Sequence, residues 1–138
     1  MPLTHGPRPR PYREETMFRL ISFSMHNAIE ILGGFALMAL PLVLGLGPAA
    51  VITGIAVGAV VVGLAFTGSG HDHATGDRGT IPLGAHAVYD RGLAFGMIVA
   101  AVVLGLAGDR AAVVFFLVAG VATLALATST RYSAATAR

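Results

Sequence analysis

Four long apolar segments dominate the pattern of hydrophobic and polar positions along the chain. They cover about residues 26–46, 49–67, 84–107 and 111–129, with short polar or glycine-containing segments between them. A helix needs about 20 predominantly apolar residues to cross the hydrocarbon core of a bilayer. At 1.5 Å per residue the second segment reaches about 28 Å. The pattern therefore predicts an all-α transmembrane bundle with four spans.

The two halves of the chain resemble one another. His26–Glu30 opens the first apolar segment, and His86–Asp90 opens the third one sixty positions later. At the same offset, Val43–Leu46 recurs as Val103–Leu106. With two residues inserted, Ala49–Val51 matches Ala111–Val113 and Gly58 matches Gly120. The sequence predicts two parallel two-helix repeats, related by an axis along the membrane normal.

The repeats set the predicted organisation of the chain. Residues 1–15 are rich in Pro and Arg and are expected to form a disordered tail. The membrane domain is expected over residues 16–129, with repeat one at 16–67, a loop at 68–82 and repeat two at 83–129. Residues 130–138 form a second, short tail.

The charges predict how the chain is oriented. Only 12% of the residues are charged, and all nine basic residues are arginines. With four spans, the termini and the central loop share one side, which collects Arg8, Arg10, Arg13, Arg19, Arg78, Arg91, Arg131 and Arg138. Only Arg110 lies on the other side. The excess of Arg predicts that both termini are cytoplasmic, and it explains the basic pI without a nucleic-acid partner.

The composition also indicates an origin and a compartment. Ala, Gly and Val dominate and Lys is absent, which is typical of a GC-rich bacterial genome. The expected location is the plasma membrane of a bacterium. The chain has no cysteine, which excludes disulfides, thiolate metal ligands and thiol catalysis.

Small residues recur at every fourth position on the second and third spans. They are Ala50, Gly54 and Gly58, then Gly92, Gly96 and Ala100. In lipid, small faces let helix backbones approach closely, so these positions are predicted to pack against other helices. The spacing leaves open whether the partner helix belongs to the same chain, to a second copy or to another membrane protein.

Two polar pairs carry the candidate chemistry. His26 with Glu30, and His86 with Asp90, are each four residues apart, so each pair shares one helical face. Both pairs enter the membrane at matching depth, where ionisable groups are costly. One interpretation is structural: each carboxylate accepts a hydrogen bond from its own histidine, or pairs with Arg91 across the bundle.

Three other interpretations stay open for the same residues. Two histidines and two carboxylates could ligate Zn, Mn or Fe. His26 and His86 alone could hold a haem. Ionisable groups within spans could also form a proton or ion path, although no charge occurs in the outer half of any span. In the central loop, His71 and His73 are weaker metal candidates, for which a solvated linker is the favoured interpretation.

The first repeat resembles a known family. The residues Leu32–Gly34, Ala39–Leu46, Ala49–Ala50 and Gly58 are similar to the bacterial SPW-repeat family of small membrane proteins. Leu40–Leu42 stands where that family has Ser-Pro-Trp, and this chain has no Trp. The resemblance implies the same four-span architecture and brings no chemistry with it.

The sequence therefore favours a non-enzymatic membrane protein that acts as a scaffold or assembly partner. The alternative is a small metal- or haem-binding protein, or a transporter, that uses His26, Glu30, His86 and Asp90. No catalytic motif is present to indicate an enzyme.

Overall fold

A computed structural model describes residues 21–68, 81–130 and 132. They form four helices: α1 (Phe23–Val43), α2 (Pro48–Thr67), α3 (Leu83–Leu106) and α4 (Arg110–Ser129). All four are long and apolar enough to cross a membrane, and no strand occurs in this part of the chain. The predicted all-α fold with four spans is confirmed. The N-terminal tail, His71 and His73 of the loop, and seven of the eight arginines used for orientation lie outside the described residues.

The helices pack as two hairpins. α1 lies along α2, and α3 lies along α4, whereas the hairpins contact one another less extensively through α2 with α3 and α1 with α4. Leu37, Met97 and Phe116 are among the buried side chains of the shared core. Many large apolar side chains point outward, including Phe35, Phe66 and Leu106. Such an exterior suits hydrocarbon as the surrounding solvent.

Each hairpin turns at a glycine with positive φ. Gly45 (φ 65°) follows α1, and Leu46 N–H donates to the Pro41 carbonyl, which closes the helix end. The second turn uses Gly108 (φ 90°), although the sequence match had aligned Gly45 with Gly105. α3 has 24 residues, against 21 in α1, and the connection from α3 to α4 is one residue shorter than that from α1 to α2, which together account for the two inserted residues. The turn therefore falls three residues later than the sixty-residue offset predicts.

The first hairpin is held by close approach of its backbones. Pro41 has no N–H, so the Leu37 carbonyl loses its helical partner. That carbonyl lies against Gly54, where a Cβ would come within 2.6 Å of its oxygen. Gly58 lies against the Gly34 carbonyl in the same way. The stripe of Ala50, Gly54 and Gly58 is buried and faces α1.

The second hairpin uses different positions from those that small-residue spacing indicated. Gly92 and Gly96 are exposed, and a Cβ at either would meet no atom within 4 Å. The close approach is instead between Ala94 and Gly120, where a Cβ at Gly120 would lie 2.9 Å from the Ala94 carbonyl oxygen. Gly92 and Gly96 are therefore open on the outer surface, with Gly92 at the edge of the space between α2 and α3, whereas Ala100 is partly buried and packs against the core.

Candidate metal centre

The two polar pairs meet at one end of the bundle. His26 and His86 are each the fourth residue of their helix, and Glu30 and Asp90 follow one turn later. Because α1 and α3 start at the same end and face one another there, the four side chains converge between the hairpins. We refer to His26, Glu30, His86 and Asp90 as the His–carboxylate cluster.

Within the cluster, each histidine contacts both carboxylates. His26 Nε2 lies 3.3 Å from Glu30 Oε1 and 3.1 Å from Asp90 Oδ2. His86 Nε2 lies 3.1 Å from Glu30 Oε2 and 3.5 Å from Asp90 Oδ1. The shorter contact of each histidine crosses to the other hairpin. The sequence-based interpretation paired each acid with its own histidine, and the structure adds this second, crossed set.

All four side chains of the cluster are removed from solvent, with exposed fractions of 4% or less. Two buried carboxylates are costly unless positive charge and hydrogen bonds compensate them. Protonation of both histidines would compensate the two carboxylates, and so would a divalent cation among the four side chains.

Thr130, immediately after α4, fixes the orientation of His26. Its hydroxyl donates to the Leu126 carbonyl at 2.7 Å, so its single proton is already used. Its oxygen lies 2.8 Å from His26 Nδ1 and must therefore accept a proton from that nitrogen. Neutral His26 then has a lone pair on Nε2, aimed at two carboxylate oxygens. This arrangement needs a positive centre between them, either a proton or a metal ion.

Tyr132 supports Asp90 from outside the helices. Its hydroxyl donates to Asp90 Oδ2 at 2.6 Å and lies 3.5 Å from His26 Nε2. Burial raises the pKa of Tyr132, and the hydrogen bond to Asp90 raises it further, well above the ordinary value. The phenol therefore stays protonated and remains a donor to this carboxylate.

Aromatic and glycine residues close the end of the cluster. The Phe23 ring stacks on His26 at 6.1 Å and meets His86 edge-on at 5.2 Å. Gly68, at the end of α2, lies over the other side of His86, where a Cβ would come 2.9 Å from Nδ1. That nitrogen and Asp90 Oδ1 are buried without a hydrogen-bond partner in the described structure. The cluster thus has unused capacity for a ligand at Asp90.

The cluster has the donor types and the spacing of a metal-binding group. With metal–ligand bonds of about 2.0–2.1 Å, neighbouring ligand atoms in a tetrahedron lie about 3.3 Å apart. The four His–carboxylate contacts of 3.1–3.5 Å are close to that length, but they use both oxygens of each carboxylate, so no single set of four atoms has all of them. One donor atom from each of the four residues can be chosen so that all lie within 4.8 Å of one another. A set of two nitrogens and two oxygens suits Zn²⁺, Mn²⁺ or Fe²⁺.

The other candidate residues do not join this centre. Arg91 is exposed on α3, and the described ion pairs of both carboxylates are with the histidines. A haem between His26 and His86 would need an open plane between their Nε2 atoms. Glu30 and Asp90 fill that space, since their oxygens lie 3.1 Å from those nitrogens. The arrangement therefore suits a single ion better than a porphyrin.

Sequence reasoning missed three residues of the site. Phe23 precedes the predicted first span, and Thr130 and Tyr132 lie in what was predicted as a polar tail. The comparison of the two repeats does distinguish Thr130. The two-residue insertion makes it the counterpart of Gly68, so a hydroxyl appears in one repeat where the other has glycine.

Comparison with protein-family models, with curated proteins and with solved structures found no match for this chain. The resemblance to SPW repeats stays a prediction. Any functional assignment therefore depends on the geometry of the site itself.

Proposed function

We propose that this multi-pass membrane protein binds one divalent transition-metal ion in the His–carboxylate cluster. The observation that carries the proposal is the convergence of four buried donor residues from two hairpins, with one ligand atom from each lying within 4.8 Å of the others. His26 supports it further, because its Nδ1–H is held by Thr130 and its Nε2 is directed to the centre. Metal-binding histidines commonly have such a partner on the other ring nitrogen.

The metal content of the purified protein tests this proposal directly. The full chain, extracted in mild detergent without chelator, is expected to hold about one equivalent of Zn, Mn or Fe by mass spectrometry, as four ligands for one ion imply. His86→Ala removes one ligand and should lose that metal. Cobalt substitution gives a check that needs no variant, because a tetrahedral site produces intense visible absorption. Metal-free protein that takes up neither zinc nor cobalt would leave the cluster as a purely structural ion-pair network.

Thr130 provides a more specific test, because it contacts His26 at Nδ1 and would not itself be a metal ligand. Thr130→Val keeps the size of the side chain but removes the acceptor for His26 Nδ1. Loss of such an outer partner typically weakens metal binding about 10- to 100-fold. Thr128→Val is the matched control, since the Thr128 hydroxyl bonds only to Leu124 and Ala125 carbonyls of its own helix. Equal affinity in both variants would argue against metal binding through His26.

We further propose that the cluster end faces the cytoplasm of a bacterial cell and that the hairpins arose by duplication. The orientation is supported by the distribution of arginines in the sequence. The duplication is supported by burial, because the buried positions of α1 recur sixty residues later on α3. A tag at either terminus should then be inaccessible from outside intact cells, and an external signal would contradict this orientation.

A second candidate function is assembly with another membrane helix, without enzymatic activity. The open stripe of Gly92 and Gly96 favours it, because a neighbouring backbone could approach there closely. Gly96→Leu should then abolish a cross-linked dimer or a co-purified membrane protein. Gly84→Leu, at an equally open glycine near the start of α3, is the control.

A further inference from the structure

Sparse contact between the hairpins leaves two lateral grooves. One runs between α1 and α4 and has a volume of about 530 Å³, with Val61 of α2 among its lining residues. The other lies between α2 and α3 and has a volume of about 600 Å³. Both are walled mainly by apolar side chains that belong to predicted membrane spans. Each groove is therefore accessible to molecules dissolved in the hydrocarbon core.

The two grooves differ in length and in what they reach. The α1–α4 groove extends along α1 from Glu30 to Leu44, which is about 21 Å at 1.5 Å per residue. Glu30 is its one ionisable lining residue in the described structure, and it belongs to the His–carboxylate cluster. The α2–α3 groove is confined to the cluster end, between Val60 and Thr67 on α2, and none of its described lining residues is charged. Only the first groove joins a long apolar path to the cluster.

The Glu30 end of this groove selects the head group of an occupant. Each oxygen of Glu30 accepts one histidine contact, and a carboxylate oxygen has capacity for a second. A hydroxyl can donate there. The cluster is neutral overall, whether two protonated histidines or a divalent ion balance its carboxylates. An anionic head group would add an uncompensated charge at a buried site, so a neutral one is favoured.

We propose that the α1–α4 groove binds a single-chain lipid whose neutral, hydroxyl-bearing head group donates a hydrogen bond to Glu30. The chain lies along α1 and α4 toward Leu44, and the head lies beside the cluster. The proposal goes beyond metal binding and does not need the ion, because the cluster is neutral in both states.

Photolabelling of the full chain in detergent tests this inference. The probes are a photoreactive long-chain alcohol, the fatty acid of the same chain length and a diacyl phospholipid. Gly33 lines the groove, and a Cβ there meets nothing within 4 Å, so Gly33→Leu introduces a bulky side chain at the groove from a position that accepts a Cβ. Gly63→Leu does the same in the α2–α3 groove and is the matched control. We expect the alcohol to label α1 and α4, and Gly33→Leu alone to reduce that labelling at least about tenfold.

Other outcomes would overturn the inference. Equal labelling by the phospholipid would mean bulk membrane lipid only, and equal labelling by the fatty acid would remove the role of Glu30. Cross-linking between copies through this groove would identify a second chain as its occupant. Ala122→Leu, from the opposite wall, replaces Gly33→Leu if that variant does not fold. Metal content measured on the same samples should be unchanged by Gly33→Leu, which separates failure of this inference from failure of the metal proposal.

Discussion

Every buried position of α1 is also buried on α3, but the two hairpins support their histidines differently. The buried residues of α1 are His26, Glu30, Gly34, Leu37 and Pro41, and their counterparts His86, Asp90, Ala94, Met97 and Ala101 are all buried on α3. The residues around the cluster differ between the two hairpins. His26 has the Thr130 hydroxyl, whereas His86 has Gly68 at the equivalent position, and its Nδ1 has no hydrogen-bond partner among the described residues. The comparison teaches that the donor set is shared equally between the hairpins, while its outer support comes from the second one.

Removal of either histidine should have the largest effect on stability. His26→Ala or His86→Ala leaves two buried carboxylates with one histidine, and loss of one partner from a buried ion pair costs about 3–5 kcal/mol. His26→Ala should cost more, because His26 also bonds to Thr130. Unfolding in mixed micelles with increasing SDS measures both variants. A larger loss of stability in His86→Ala than in His26→Ala would show that the bond to Thr130 does not make His26 the more important histidine.

The first hairpin has no described counterpart of Tyr132. Tyr132→Phe therefore tests how much the additional support from the second hairpin contributes to stability. It removes a hydrogen bond to a buried carboxylate, worth about 1.5–3 kcal/mol. Tyr89→Phe, at an exposed tyrosine on α3, is the control and should change little. The same unfolding measurement applies, and equal losses would mean that the bond to Asp90 adds no stability.

The raised pKa of Tyr132 gives this contribution a pH dependence. The unfolded chain loses the phenol proton near the ordinary value of 10.0, while the folded protein keeps it. Stability from this residue is therefore fully present below about pH 10 and is lost as the pH rises further. The wild type should lose stability above that pH more steeply than Tyr132→Phe. Parallel curves for the two proteins would contradict the assignment of Tyr132 as a buried donor.

Close packing provides a smaller contrast between the hairpins. In the first, Gly58 meets the Gly34 carbonyl more closely than Gly120 meets the Ala94 carbonyl in the second. Overpacking of this kind costs about 1–3 kcal/mol, so Gly58→Ala should lie nearer the upper figure than Gly120→Ala. Gly92→Ala, on the open stripe, should be close to neutral. A reversed order in SDS unfolding would mean that α3 and α4 are the less tolerant pair.

The sequence could predict the helices and the cluster residues, but not every neighbour. Length and hydropathy defined four spans, and the spacing of His26 with Glu30 placed both on one face. Convergence with His86 depends on how α1 and α3 are rotated, which the periodicity of either helix alone leaves free. The spacing of Gly92, Gly96 and Ala100 likewise identifies a small face but not the helix that meets it, so where that face packs stays a prediction. Thr130 and Tyr132 were missed because their role comes from tertiary contacts made beyond the last span.

The end of the bundle opposite the cluster gives the prediction with the smallest expected effect, because there the second hairpin supports the first through Asp109. Asp109 caps α4 by accepting from Ala112 N–H at 2.9 Å, and its other oxygen accepts from Gly47 N–H at 3.2 Å, which links the two turns. Gly47 is the N-cap residue of α2 and has no side chain that could cap the helix. Its N–H group in the first hairpin therefore bonds to a side chain of the second hairpin. Asp109→Ala should cost about 0.5–2 kcal/mol, as N-cap replacements do. Ser22→Ala, which removes a single exposed cap of α1, should cost less. If Ser22→Ala were the more costly in SDS unfolding, the bond from Gly47 to Asp109 would add no stability of its own.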